Sequence, residues 1–469
     1  MTRNSASVVD DRLHPAGYGV VLFLLVNVGR LPELLPFLQP LHLGKLSLVM
    51  ALLGLFMASG GPRLRAFPAG PGRLLLLFVL LMVLSVGWSI WKTNSLQFLA
   101  GTMLSNLLLF VLLVKTTINP RMLRLYVGSL IGAGVLLAMM MVRAGGAERV
   151  SILSSYDPND LALMLVTVLP LAVLGFFISR GTRRFMLAGL TGVLLVAILF
   201  TGSRGGFLAL LAVAAYLFFS RLPLADGRLT QRVSPPKVLV VVLGAGLLLV
   251  ATPQATWERM STIFSPEDDY NLTEDTGRVA IWTRGVGAMA ERPWGWGLLA
   301  FEAVEGERGG RFQASHNSLL QVGVELGIAG LVLVLMLYAA CFRRLQALRL
   351  WAFANGPPRS GETGPPEAQD RGPLSLQLGA LAIALQAGFI GYFVGAFFLS
   401  SAYTALFFTL VALVLALENI TRLYGHTAAA SAQPVPPAGT APLPQAVTPP
   451  QRSGFVFRPG VQEPWEPRP

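Results

Sequence analysis

Two arginines and one histidine stand where apolar runs give way to polar sequence. There a guanidinium can hold an anion and a neutral imidazole can take a proton. Arg204 lies in Thr201-Gly202-Ser203-Arg204-Gly205-Gly206, a hinge so short that the apolar runs flanking it must turn at one membrane face. The glycine pair removes side chains where a bulky ligand could approach, and the next helix offers free N–H groups to an anion. An arginine snorkelling from a helix end is the plainer reading, and the intramembrane setting favours the functional one.

Arg278 opens Gly277-Arg278-Val279-Ala280-Ile281-Trp282, a predicted helix with Val279, Trp282, Val286 and Met289 on one side. Such a helix is expected to lie on the membrane surface with Trp282 at headgroup level, which puts Arg278, one turn earlier, at the level of phosphates. A structural or lipid-headgroup contact is the alternative, and Arg284, nearer solvent, is expected to be structural. His316, in Ser315-His316-Asn317-Ser318, precedes another apolar run. The positive end of the helix beginning there favours the neutral imidazole of a general base, although a histidine at a helix start also serves simply as a cap. Glu325 lies about two and a half turns further on and must find a polar partner. Upstream, Asp157 suits a helix N-cap, Pro158 the first helical position and Asp160 the third, facing the positive end of the helix dipole.

The elements that must position these residues are membrane spans. The chain has 469 residues, 54% hydrophobic and only 13% charged, with a mean hydropathy of +0.62, which predicts an all-α polytopic bundle. Apolar runs at 16–29, 43–58, 73–91, 98–115, 122–142, 160–178, 185–201, 205–220, 237–251, 317–342, 374–398 and 402–420 predict about twelve helices. The net charge of +12 carries no basic cluster interleaved with aromatics, so nucleic acid is not an expected partner. Instead Lys and Arg concentrate in alternate loops, which places both termini in the cytoplasm and residues 252–315 outside, between spans nine and ten. In that segment six arginines are outnumbered by ten carboxylates, so a bound anion must be held by individual guanidiniums rather than by a broad field. The lone Cys341 and the scattered His14, His42, His316 and His426 predict neither an intrachain disulfide nor a metal site. Residues 1–425 are expected to form the transmembrane domain, 343–373 a flexible cytoplasmic loop and 426–469 a disordered Pro-rich cytoplasmic tail.

Taken in order, Asp157-Pro158-Asn159-Asp160, Thr201 to Gly206, Gly277-Arg278 through Trp282, Arg292-Pro293-Trp294-Gly295-Trp296-Gly297, and Ser315 to Gln321 with Glu325-Leu326-Gly327 resemble the O-antigen ligase and polymerase superfamily. The resemblance covers mainly residues 155–345. It implies an integral membrane glycosyltransferase of the bacterial inner membrane, its active site facing the periplasm, working in O-antigen and lipopolysaccharide assembly. The implied donor is a polyprenyl-diphosphate-linked glycan, and the implied acceptor a hydroxyl of another glycan or of lipid A core. Arg204 and Arg278 would then grip the diphosphate and His316 serve as base, with no cofactor and no metal, and with inversion at the sugar carbon. Ser203, Asn317, Asp157 and Asp160 would orient these groups or the acceptor. Ligase and polymerase both remain open. Protein O-oligosaccharyl transfer is an alternative, and from another class so is transport of a small anion such as bicarbonate, for which Glu325 speaks.

Overall fold

In the computed structural model, residues 12–58, 64, 66–67, 70–143, 157–252, 254–261, 274–309, 311–355 and 366–431 are described. The helices are α1 (Gly17–Asn27), α2 (Leu31–Leu34), α3 (Leu43–Met57), α4 (Pro71–Ser85), α5 (Lys92–Phe98), α6 (Leu104–Thr116), α7 (Pro120–Arg143), α8 (Pro158–Ile178), α9 (Gly181–Phe200), α10 (Arg204–Phe219), α11 (Pro235–Ala251), α12 (Gln254–Ser261), α13 (Arg278–Glu291), α14 (Phe301–Gly309), α15 (Ser318–Ala354), α16 (Pro366–Ala396) and α17 (Ala405–Ser431). Among the described residues eight helices are long and apolar enough to cross a membrane, and Gly17–Asn27, Leu43–Met57, Arg204–Phe219 and Lys237–Gly246 are shorter apolar helices. The protein is thus an all-α polytopic membrane protein, and its helices follow the predicted runs closely.

Burial separates the centre from the rim. In the most apolar windows of α8, Leu374–Ala396 and Ala405–Leu423, 78%, 78% and 89% of positions are buried, against 28% in α9. Helices that are apolar all round are those with protein on every side, and α16 does pack against α8, α15 and α10. The chain divides at Gly425, and of the unit His426–Pro469 only the end of α17, through Ser431, is described.

Two boundaries differ from the sequence expectation. Residues 343–354 are helix rather than loop, because α15 runs on to Ala354, and α16 already begins at Pro366. Of the predicted loop, 356–365 lie outside the described residues, as do 432–469 of the predicted tail and 262–273 of the outer segment. The second difference is a break in α15. Gly327 has φ 71° and ψ −171°, so the 37-residue helix is two pieces. The piece 328–354 alone, at about 1.5 Å per residue, is long enough for a hydrocarbon core of about 30 Å.

Residues 292–299 fill that break. The N–H groups of Trp296 and Gly297 donate to the carbonyls of Val324 and Glu325 at 2.9 and 2.8 Å, and the Ile328 N–H donates to the Pro293 carbonyl at 2.8 Å. These are the backbone groups that a helix end would leave without partners. The approach is so close that a Cβ on Gly327 would lie 2.3 Å from the Pro293 carbonyl oxygen, and one on Gly297, at φ 104°, 2.3 Å from Ser89 Cα. The Arg-Pro-Trp-Gly-Trp-Gly motif and Glu325-Leu326-Gly327 are therefore two halves of one joint.

Candidate functional site

Each sequence-predicted residue sits at or beside a helix start. Asp157 caps α8: its Oδ1 accepts from the N–H groups of Asn159 and Asp160 at 2.6 and 2.9 Å, and Asp160 returns the bond to the Asp157 N–H at 3.4 Å. With Pro158 at the first position this is a complete capping box. Ser203 caps α10 by accepting from the Gly206 N–H at 3.1 Å, which puts Arg204 at the first helical position. Arg278 holds the first position of α13, whose N-cap, Gly277, makes no side-chain capping bond. Asn317 caps α15, its Oδ1 accepting from Leu319 and Leu320 at 3.0 Å each. His316, just before it, has φ 46°, a left-handed conformation that is uncommon outside glycine. Arg204, Arg278 and His316 are all half-buried.

Two expectations are corrected here. The glycines after Arg204 do not leave room for a ligand: a Cβ on Gly206 would lie 2.5 Å from Ala162 Cβ, and one on Gly205 would lie 3.0 Å from Phe398 Cβ, so both admit neighbouring protein. In α13 the buried residues are Ile281, Gly285 and Ala288, with Trp282 and Met289 partly buried against the same cluster, while Val279 and Val286 are exposed. Trp282 is turned inward, its Nε1–H donating to the Ser315 carbonyl at 2.9 Å, with its ring 5.6 Å from that of Phe397. A helix facing lipid along the predicted stripe would leave Trp282 outward; the Ser315 bond holds it against the protein instead. Arg284 is structural as expected, bonding the buried Glu305 at 2.5 Å, which raises its pKa above the usual guanidinium value. Arg292 lies 3.9 Å from the centre of the Trp296 ring, and Arg308 pairs with Glu291.

The loop between α16 and α17, residues 397–404, joins what the sequence keeps apart. Phe398 touches Gly205, the neighbour of Arg204, and Phe397 packs on Trp282, one turn after Arg278. Ser400 Oγ accepts the His316 backbone N–H at 3.0 Å and shares a 2.8 Å bond with Ser315 Oγ. Ser318 donates to the Leu399 carbonyl at 2.6 Å and accepts from the Ser401 N–H at 2.8 Å. The Asp160 carboxyl lies beside Ser401. Further along, Tyr403 donates its hydroxyl to the buried Glu325 carboxylate at 2.9 Å, and Gln321 reaches the other oxygen at 3.4 Å. Glu325 thus has the polar partners its setting demands.

This loop is the part of the site that sequence reasoning missed, taking 399–401 for a bare gap between spans. The available signal was Ser400-Ser401, a polar pair set between two long apolar helices. Among the described residues, two cavities adjoin Ser400. One of ≈ 90 Å³ reaches Ser315, Glu302 and Glu325, and one of ≈ 470 Å³ extends toward α1 and α6; Gln321 and Leu299 line both. Arg204, Arg278 and His316 line neither.

The arrangement can bring cationic side chains and an imidazole to the ends of three helices fixed by one loop. Residues 189–335 match the family model described as O-antigen ligase, a stretch holding Arg204, Arg278 and His316 but neither Asp157 nor the 397–404 loop. No curated protein matches the chain closely.

Proposed function

We propose, from the O-antigen ligase and polymerase superfamily to which residues 189–335 assign this chain, that it is a membrane glycosyltransferase acting on polyprenyl-diphosphate-linked glycan. The observation that carries the reading is the 397–404 loop, which ties the neighbourhoods of Arg204, Arg278 and His316 to one another. In this account the two guanidiniums hold the diphosphate, and His316 accepts the proton of the attacking hydroxyl. The hydroxyl oxygen bonds to the sugar C1 as the bond from C1 to the phosphate oxygen breaks, and polyprenyl diphosphate leaves with the electron pair. Planar guanidiniums suit that growing charge, and in a poorly hydrated site they stabilise it without a divalent ion. Attack opposite the leaving group inverts the anomeric centre. Ser203 and Asn317 act through their caps, which aim the residues beside them.

The site faces the periplasm in this account, in the inner membrane of a bacterial envelope, with both chain ends cytoplasmic. The acceptor is lipid A core for a ligase, or the terminal sugar of a second lipid-linked chain for a polymerase. A deletion strain that keeps undecorated core and accumulates carrier-linked polymer identifies the ligase; single attached units with loss of chain length identify the polymerase. The enzymatic test is reconstitution with purified carrier-linked glycan and each acceptor. Arg278→Ala and His316→Ala are expected to insert normally and to lose nearly all transfer, while the wild type works in EDTA. A requirement for a divalent ion would contradict the arginine-based account.

Transport of a small anion draws on one observation, the broken α15 beside Glu325, since transporters use discontinuous helices. Here, however, the backbone groups at the break are taken by residues 293–297, and the Glu325 carboxylate is held by Tyr403 and Gln321. If Glu325→Gln abolished the cellular phenotype and His316→Ala did not, transport would replace transfer.

A further inference from the structure

The ≈ 470 Å³ cavity beside Ser400 differs in chemistry from the comparably sized groove at the far ends of α8 and α16, near Ser179 and Gln377. That groove, of ≈ 460 Å³, is walled almost wholly by aliphatic side chains. The Ser400 cavity mixes apolar wall with amides and hydroxyls, among them Asn27, Thr102, Ser105 and Asn106, with the rings of Phe98 and Tyr403 5.9 Å apart and Arg30 the only charged residue among the described lining. Its volume falls in the range of small-molecule sites, roughly 300–1,000 Å³.

Three observations point to a ligand. Gln321 is 8% exposed, and its Oε1 is buried with no hydrogen-bond partner among the described residues. A buried acceptor left so costs about 1–3 kcal/mol, and the residue that carries it lines the cavity. Next, the wall at Gly101 and Thr102 belongs to a π-helical stretch, Leu99–Met103, inside an otherwise α-helical span. Such single-turn bulges give up regular hydrogen bonding and recur at functional sites. Finally, Ser400 lines the cavity and also accepts the His316 N–H, so a ligand there lies one residue contact from the histidine.

We infer that this cavity is a carbohydrate subsite, holding an uncharged sugar ring next to the bond being made. Neutral amides and hydroxyls beside two rings suit a polyol, and the bonds some of them already make, Ser105 to Asn27 and Asn106 to the Tyr403 carbonyl, hold them in place along the wall. A phosphate would call for more cations, and an acyl chain for the aliphatic walls of the other groove. The inference takes the role of the sugar, but not its binding, from the transfer reaction proposed above.

The test places a photoreactive benzoylphenylalanine at the exposed Thr102 of the full-length protein in cells. After irradiation and purification, the peptide carrying Leu99–Met103 is weighed. Mass increments of a sugar series are expected. Their loss in a strain with truncated lipid A core assigns the sugar to the acceptor, and their loss in a strain lacking carrier-linked glycan assigns it to the donor. Phospholipid adducts alone, or no adduct, would overturn the inference even if the wild-type protein transfers glycan; an inactive wild type would count against the transfer reaction alone. In the transfer assay Gln321→Leu is expected to raise the KM for that substrate about tenfold, and an unchanged KM would overturn the part given to Gln321.

Discussion

The two loops that hold the start of α15 do so by different means. Residues 292–299 use their backbone, feeding N–H and carbonyl groups into the break at Gly327 where no side chain could fit. Residues 397–404 use side chains: Ser400 on His316 and Ser315, and Tyr403 on Glu325. A backbone joint constrains which residue types are possible, and a hydroxyl joint constrains only where a hydroxyl lies. The first should therefore govern whether the protein folds, and the second how accurately His316 is aimed.

The largest effect is expected from Gly327→Ala or Gly297→Ala, where positive φ and a contact of 2.3 Å act together. A loss of roughly 2–5 kcal/mol is expected, seen as poor yield and a lowered unfolding temperature in detergent. Wild-type unfolding of either variant would break the comparison at its root. Next comes Ser400→Ala, which removes the acceptor of the His316 N–H. Transfer should fall about 100-fold, since small misplacements of a reacting group are costly, while the unfolding temperature moves little. An unfolded Ser400→Ala protein would mean that both loops serve stability alone. Tyr403→Phe takes a donor from the buried Glu325 carboxylate and should cost about 1–2 kcal/mol. The same change made in a Glu325→Gln background should cost less, and equal costs would show that the pair is not coupled. The smallest effect is expected at Gly205→Ala, where the new methyl would meet Phe398 Cβ at 3.0 Å, a contact that a shift of a few tenths of an ångström in the 397–404 loop relieves. Stability should change by less than about 1 kcal/mol, with a modest loss of transfer if Phe398 does steady the end of α10.

This difference also explains what could be read in advance. The helices follow the apolar runs because a hydrocarbon slab leaves few alternatives. The caps at Asp157, Ser203 and Asn317 are local chemistry, complete within a few residues. Arg-Pro-Trp-Gly-Trp-Gly and Glu325-Leu326-Gly327 were visible as motifs, because backbone contacts this tight admit only glycine, yet nothing in either showed that they meet. Gly205 and Gly206 looked like room for a ligand because the sequence does not say who fills the space; Ala162 and Phe398 do. Trp282 suited a lipid interface and a hydrogen bond to Ser315 equally well until the bond was placed. The 397–404 loop was illegible because serine and tyrosine are common at span ends, and their partners lie about 80 residues away in the chain.

The central claim is that Arg204, Arg278 and His316 work as one site, and transfer rates of the reconstituted protein test it most directly. Groups that act as a unit are strongly non-additive, so the triple alanine variant is predicted to be no slower than the most impaired single variant. Rates that fall multiplicatively across the three substitutions, or any one of them leaving wild-type transfer, would contradict the account.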